Sequence, residues 1–279
     1  MLTFDGVQVD CHGSTDVGKV REVNQDQYLI ASLHKVIEVH ATSIPGSYRR
    51  LFDSGARALL LLVADGVGGA ARGEEASSLT LDTITTYVTN SMRCFYKLDE
   101  QIPEDLLEEL AVLVQQSHAT VRSQAEQAPD RAGMATTLTM AHILWPRAYV
   151  VQIGDSRCYR IRDTTIVQVT KDQTVVQYLV DEGALTPDEA AESPYGNILS
   201  QAIGAGEQEV HPEISRVELE KGDVLLLCTD GLTAHVMDNE IADYVRAASS
   251  AKEASEHLVQ AALDAGGSDN VTVVVSRFG

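Results

Sequence analysis

Ala58-Leu59-Leu60-Leu61-Leu62-Val63-Ala64 runs without a polar residue straight into Asp65-Gly66. The run has strand length and is far short of the roughly 18 apolar residues that suggest a membrane span. The same layout returns twice. Tyr149-Val150-Val151-Gln152-Ile153 leads into Gly154-Asp155-Ser156, and Val224-Leu225-Leu226-Leu227-Cys228 leads into Thr229-Asp230-Gly231. Asp269-Asn270 stands just before Val271-Thr272-Val273-Val274-Val275. One Asp-Gly is an ordinary turn; a repeated acid at the rim of an apolar strand is a pattern. Carboxylates held there are partly desolvated, and they repel one another unless a cation neutralises them. The glycine beside each of the first three lets a second backbone or a ligand approach closely.

Outward from that stretch, strand-like runs occupy 7–13 and 27–31, before the 58–64 strand. Two helical stretches follow it. In the first, Ala76, Leu79, Ile84, Val88, Met92 and Phe95 recur at helical spacing; the second starts after Pro103, with Leu106, Leu110, Leu113 and Val121 on one side. Further strands are expected at 136–143, 147–153, 157–162 and 165–170, then a polar helix-prone stretch over 171–201. A strand at 224–228, helices at 238–247 and 252–264, and a strand at 271–277 close the chain. Strands and helices do not alternate singly, so a doubly wound parallel sheet fits poorly. Hairpin-linked strands with grouped helices read as α+β, with sheets packed between helical layers.

The chain has 279 residues, 21 basic and 41 acidic, a net charge of −20. At a soft prior of roughly 150 residues per domain this allows one large domain or two small ones. No repeat or Gly/Ser linker divides it, so a single domain over 1–279 is expected. The composition, 44% hydrophobic and 22% charged, is that of a globular protein with a real core. The acidic balance argues against a nucleic-acid surface and against a basic membrane-surface helix. The first ten residues lack a basic segment followed by an apolar run, so no secretory leader is expected. Cys11, Cys94, Cys158 and Cys228 are widely spaced and read as buried free thiols in a reducing compartment. A cytoplasmic location is the resulting expectation.

Oxygen-only donors favour Mg²⁺ or Mn²⁺ over zinc. The eight histidines are scattered without zinc spacing. Near the N-terminus stands Arg21-Glu22-Val23-Asn24-Gln25-Asp26. A guanidinium beside a metal site is suited to gripping a phosphate with paired hydrogen bonds.

Arg21-x-x-Asn24-x-Asp26, Asp65-Gly66-Val67-Gly68-Gly69, Gly73-Glu74-x-Ala76-Ser77, Gly133-Met134-Ala135-Thr136-Thr137, Gly154-Asp155-Ser156-Arg157, Asp230-Gly231-Leu232 and Asp269-Asn270-Val271-Thr272 occur in that order. This series resembles the metal-dependent Ser/Thr protein phosphatases, the PPM or type 2C family, in its bacterial branch. The resemblance implies a four-layer αββα sandwich of two mainly antiparallel sheets flanked by paired helices, with a two-metal centre at one end. It implies that Asp65 bridges two Mn²⁺ or Mg²⁺ ions, that the Gly66 carbonyl binds one, and that Asp230 and Asp269 hold the other. Asp155 matches a third, weaker metal site. Asp26 would orient metal-bound water without itself binding metal, and Arg21 would grip the substrate phosphate.

The implied reaction is hydrolysis of phosphoserine or phosphothreonine in proteins. It proceeds by in-line attack of a metal-bridging hydroxide without a phosphoenzyme. Such enzymes commonly oppose a Ser/Thr kinase, so phosphorylated proteins, a kinase and its targets are the implied partners, and a monomer suffices. The alternative is a catalytically silent phosphoprotein-binding regulator on the same fold. The acidic surface should favour phosphopeptides with basic flanks.

Some positions depart from the family pattern. Val67 stands where many eukaryotic relatives carry a histidine, Ala135 replaces a common glycine, and Gln173 stands where bacterial relatives often have histidine. Residues 171–201 match the family's flap, and 196–204 lacks an arginine often found there. The stretch 32–57 is longer than usual and reads as an inserted loop.

Overall fold

Every residue of the Ala58–Ala64 strand is buried, and the reason is that both of its faces are covered. Leu59, Leu61 and Val63 point into a core between two sheets, while Leu60, Leu62 and Ala64 point into a core under helices. A strand with no solvent side has no need of alternation, so it reads as an unbroken apolar run.

The computed structural model describes residues 2–4, 6–33, 37–42, 58–68, 70–90, 104–127, 129–191, 193–206 and 209–279. Its strands are β1 (Leu2–Phe4), β2 (Val7–Asp16), β3 (Gln27–Leu33), β4 (Ile37–Thr42), β5 (Ala58–Ala64), β6 (Gly66–Val67), β7 (Ala135–Thr136), β8 (Leu138–Leu144), β9 (Arg147–Ile153), β10 (Arg157–Arg162), β11 (Thr165–Gln168), β12 (Glu213–Glu218), β13 (Val224–Cys228) and β14 (Val271–Phe278). Its helices are α1 (Ala70–Asn90), α2 (Glu104–Gln127), α3 (Val175–Asp181), α4 (Pro187–Ala191), α5 (Asp230–Thr233), α6 (Asp238–Ala247) and α7 (Ala251–Asp264).

One sheet runs β1-β2-β14-β13-β10-β11 and the other β12-β9-β8-β5-β3-β4; β6 and β7 form a short ribbon. The pairings are antiparallel throughout. Helices α1 and α2 cover the second sheet through Leu81, Ile84, Val88, Leu110 and Leu113. Helices α6 and α7 cover the first through Ile241, Val245, Leu258 and Val259, against Leu226, Val273 and Val275. Leu225, Leu227 and Val274 face the opposite way, into the core between the sheets. The result is the expected αββα sandwich, a mixed α+β fold. Helix α7 starts at Ser250, whose hydroxyl accepts from the Glu253 N–H at 3.1 Å.

Several elements differ from the sequence reading. Helix α1 begins at Ala70, and Met92 and Phe95 lie outside the described residues. Part of the stretch read as an inserted loop is the edge strand β4, paired with β3; residues 34–36 and 43–57 lie outside the described residues. Strand β12 has a single buried residue, Val217, and carries little apolar signal. Cys158 and Cys228 are buried free thiols and Cys11 is half-buried and free; Cys94 lies outside the described residues. Among the described residues no helix is long and apolar enough to cross a membrane.

Candidate active site

The acids picked out by the sequence sit at one end of the sandwich. Strand β5 delivers Asp65 and β9 delivers Gly154-Asp155. Strand β13 delivers Thr229-Asp230, and Asp269-Asn270 opens β14. Pairing of Cys228 with Val273 sets the last two beside each other. Pairing of Gln27 with Ala64 brings Asp26 next to Asp65. A cleft of about 1070 Å³ opens over them and is lined by Arg21, Asp65, Asp155, Asp230 and Asp269. Gly66 lines it too. Asp26 lies beneath the cleft, 1% exposed.

Two glycines allow this convergence by being small. A Cβ on Gly66 would lie 2.2 Å from the Gly73 carbonyl oxygen, and one on Gly231 would lie 1.9 Å from the Asn270 carbonyl oxygen. No side chain fits at either place, so α1 and α5 reach the strand ends only over glycine.

Hydroxyls and amides fix the acids. The Asp65 N–H donates to Thr137 Oγ1 at 3.0 Å, and the Asp65 carbonyl accepts from the Thr137 N–H at 2.9 Å and from Thr136 Oγ1 at 2.8 Å. Thr137 Oγ1 in turn meets Ser156 Oγ at 2.7 Å, beside Asp155. Thr229 Oγ1 donates to Asp26 Oδ2 at 2.8 Å and accepts from the Thr272 N–H at 3.0 Å. Asn270 pins the loop that carries Arg21 and Asp26. Its Nδ2 donates to the carbonyls of Val17 (2.9 Å) and Val23 (3.0 Å), and its Oδ1 accepts from the Gln25 N–H (2.8 Å). Ser268 N–H donates to His235 Nε2 at 3.1 Å, which ties the approach to Asp269 to the turn after α5.

The flap base is fastened to the same rim. Gln173 Oε1 accepts from the Gly154 N–H at 2.9 Å, and Arg157 grips Asp172 with Nε to Oδ1 at 2.9 Å and Nη2 to Oδ2 at 2.6 Å. The 171–201 stretch holds the short helices α3 and α4, and a bridge between Thr174 and Leu199 closes it.

Burial first, and then the charges of neighbouring carboxylates, raise several of these carboxyls above their usual range. Burial, then the charges of Asp26 and Asp230, push Asp65 well above the usual range. Burial lifts Asp26 to about 7, against the hydroxyls of Thr272 and Thr229, which favour its charged form. Burial and the charge of Asp230 lift Asp155 to about 7. Asp230 is raised by burial and by Asp269. Asp26 Oδ1 and Asp230 Oδ1 are buried without a hydrogen-bond partner. An orphaned buried carboxylate oxygen costs free energy until something positive meets it.

Among the described residues, no three acidic, histidine or cysteine side chains close into a finished metal cage. Asp269 turns instead to Arg21, whose Nη2 donates to its Oδ2 at 2.7 Å. The donor set still fits a hard divalent cation. It is all oxygen, Asp230 Oδ1 is buried without a partner, and a cation would lower the mutual repulsion.

The arrangement therefore brings Arg21, Asp65, Gly66, Asp155, Asp230 and Asp269 to one cleft, with Asp26 under it. The sequence reading quoted Thr137, Ser156, Thr229, Asn270 and Thr272 without giving them a role. Each holds an acid or its loop.

The protein phosphatase 2C family profile matches residues 49–265. The chain belongs to the protein phosphatase 2C family. The serine/threonine protein phosphatase PstP of Mycobacterium tuberculosis is 40% identical over 222 residues, 79% of this chain. The chain spans about two fifths of that relative's length, 40%. Protein phosphatase PhpP of Streptococcus pneumoniae is 32% identical over 262 residues, 94% of each chain. Among solved structures, the Mycobacterium tuberculosis serine/threonine phosphatase PstP/Ppp matches with a TM-score of 0.75 at 35% identity, covering 97% of this chain and 98% of that one. The PstP catalytic domain in complex with 2 manganese ions matches with a TM-score of 0.71 at 34% identity, covering 98% of both chains.

Proposed function

We propose that residues 1–279 form one phosphatase domain that hydrolyses phosphoserine and phosphothreonine in proteins, using two Mn²⁺ or Mg²⁺ ions. The observation that carries this reading is the convergence of Asp65, Asp155, Asp230 and Asp269 from separate strand ends onto one cleft beside Arg21. The buried, partnerless oxygens of Asp26 and Asp230 add to it. Membership of the 2C family, and relatives named as protein phosphatases, one of them as a serine/threonine protein phosphatase, support the activity.

Bound divalent cations neutralise phosphoryl charge and lower the pKa of coordinated water. The chain's own groups supply the rest. In this reading Asp65 and the Gly66 carbonyl, with Asp230 and Asp269, hold the two ions, and Asp155 serves a third, weaker position. Asp26 Oδ2 accepts from Thr229 Oγ1, and its partnerless Oδ1 is the oxygen that would accept a proton or orient water. Arg21 is half-exposed and sits on Asp269, free to swing to a phosphate. The hydrolysis needs no phosphoenzyme. The partners in this reading are phosphorylated proteins, a Ser/Thr kinase and its targets, and the protein acts as a cytoplasmic monomer.

Phosphate release from a phosphothreonine peptide and from a nucleoside monophosphate, each with Mn²⁺ and with chelator, tests the proposal. It requires Mn²⁺-dependent release from the peptide. Peptide binding without release would instead support a silent phosphoprotein-binding regulator, and release from the nucleotide alone would redirect the reading to small phosphate esters.

A further inference from the structure

The cleft is far larger than a phosphoryl group needs. Its volume of about 1070 Å³ is at the upper end of what encloses a drug-sized ligand. The charged side chains that line it are Arg21, Asp65, Asp155, Asp230, Asp269 and Glu209. The first five are absorbed by the ions and the phosphate in the reading above. Glu209 is not. It is exposed and forms no ion pair with another described residue. Tyr178, on the flap helix α3, lines the same cleft and is 58% exposed.

The segments bearing these two side chains are joined. Gln173, two residues before α3, donates through Nε2 to the His211 carbonyl at 3.3 Å. The His211 N–H donates to Gln201 Oε1 at 2.6 Å, which closes the loop that carries Glu209. The start of α3 is tied back by the Val175 N–H to the Ile198 carbonyl at 2.8 Å. Glu209 and Tyr178 therefore belong to one wall of the cleft, on the flap side.

We propose that this wall binds a lysine or arginine flanking the phosphorylated residue, with the Glu209 carboxylate and the Tyr178 ring as its partners. The inference rests on the phosphatase reading and adds a substrate class to it. A free carboxylate attracts a cation, and an exposed aromatic face attracts the same cation through its quadrupole. The aliphatic stem of Lys or Arg packs on the ring while its charged end reaches the carboxylate. The net charge of −20 raises the local concentration of cationic peptides without choosing a position. Glu209 and Tyr178 supply the position. An acidic flank would meet Glu209 directly and be repelled.

The test uses three phosphothreonine peptides, identical except for Arg, Ser or Glu at positions flanking the phosphothreonine, at low salt with Mn²⁺. Ratios of kcat/KM are read within each protein: wild type, Glu209→Gln, Glu209→Lys and Tyr178→Ala. An exposed ion pair with an aromatic partner predicts a roughly fivefold to tenfold preference for Arg over Ser in the wild type. The preference should be carried in KM. It should shrink in Glu209→Gln and Tyr178→Ala, and reverse toward the Glu peptide in Glu209→Lys. Retention of the full Arg preference in Glu209→Lys would overturn the proposal and leave the overall charge as its cause. Equal turnover of the three peptides by the wild type would also overturn it. If no protein releases phosphate from any peptide, the phosphatase reading fails separately. Fluorescence-anisotropy affinities of the same peptides, compared between wild type and Glu209→Lys, then decide the flank proposal alone.

Discussion

Arg21 and Asp269 are joined by a hydrogen bond of 2.7 Å from Nη2 to Oδ2, across 248 residues of sequence. The side chains are 52% and 33% exposed, so solvent screens the pair and its strength is modest. Its consequence is competitive. The group assigned to the substrate phosphate and a carboxylate assigned to metal occupy each other. A cation bound through Asp269 Oδ2 would compete with Arg21 for that oxygen, and a displaced guanidinium would be available to phosphate. Removing the guanidinium should tighten Mn²⁺ binding while weakening phosphate binding. Calorimetric titration of Arg21→Ala with Mn²⁺ should give roughly a threefold to tenfold lower Kd than wild type, in line with an exposed charge pair. Weaker Mn²⁺ binding in that variant would contradict the competition.

The buried carboxyls predict a pH dependence of the metal-free protein. Asp26 and Asp155 are raised to about 7, and Asp65 and Asp230 are raised above their ordinary values. A carboxyl whose folded pKa lies above its unfolded one stabilises the fold fully below the unfolded value, near 4. It loses that contribution as the pH rises through the folded value. With chelator, Tm should therefore fall between about pH 5 and about pH 8 from these groups. Mn²⁺ binds the deprotonated forms, so its stabilisation should be larger at about pH 8 than at about pH 5.5. Thermal scans with chelator and with Mn²⁺ at both pH values check this. An equal Mn²⁺ shift at both would refute it.

Asn270 anchors the 17–25 loop through three hydrogen bonds. Asn270→Ala leaves two part-buried carbonyls and a buried amide without these partners, at a cost of about 1–3 kcal/mol. Both Tm and Mn²⁺ affinity should drop. Asn270→Asp keeps the acceptor for the Gln25 N–H but loses both donors, so it should not restore wild-type stability. A wild-type Tm in either variant would remove Asn270 from the scaffold.

Glycine at 231 is a steric requirement, because a Cβ would stand 1.9 Å from the Asn270 carbonyl oxygen. Gly231→Ala should cost about 1–3 kcal/mol or more and disturb both Asp230 and Asp269. Gly196→Ala is the control. The nearest atom to its Cβ is the Ser193 carbonyl oxygen at 3.6 Å, an ordinary contact, and the change should stay within about 0.5 kcal/mol. Urea unfolding of the two variants measures both.

What the sequence makes legible follows from burial. Strands β5, β9 and β13 can be bounded to the residue because an apolar run ends abruptly at a polar turn. Strand β12 escapes because it pairs only with β9 and buries one residue, Val217. Strand β4 escapes for a related reason: it is an edge strand inside a stretch whose length reads as a loop. The acids of the site are legible because a charged residue at the end of an apolar run is conspicuous. Thr137 and Thr229 are not. A threonine carries no sign of its partner, and theirs are Ser156 and Asp26, separated by 19 and 203 residues. The Arg21–Asp269 pair is likewise a fact of three dimensions. Sequence resemblance assigns the two residues to different ligands, and only the geometry shows them in contact.

The most direct measurement is Mn²⁺ titration by calorimetry of the wild type, Asp65→Asn and Asp230→Asn, with phosphate release from a phosphothreonine peptide recorded on the same samples. Two strongly bound ions are expected in the wild type. Each variant should lose at least one, with release falling by orders of magnitude while Tm with chelator stays level or rises, because a repelling buried charge is gone. Full Mn²⁺ stoichiometry and undiminished phosphate release in both variants would show that these carboxylates do not form the metal centre.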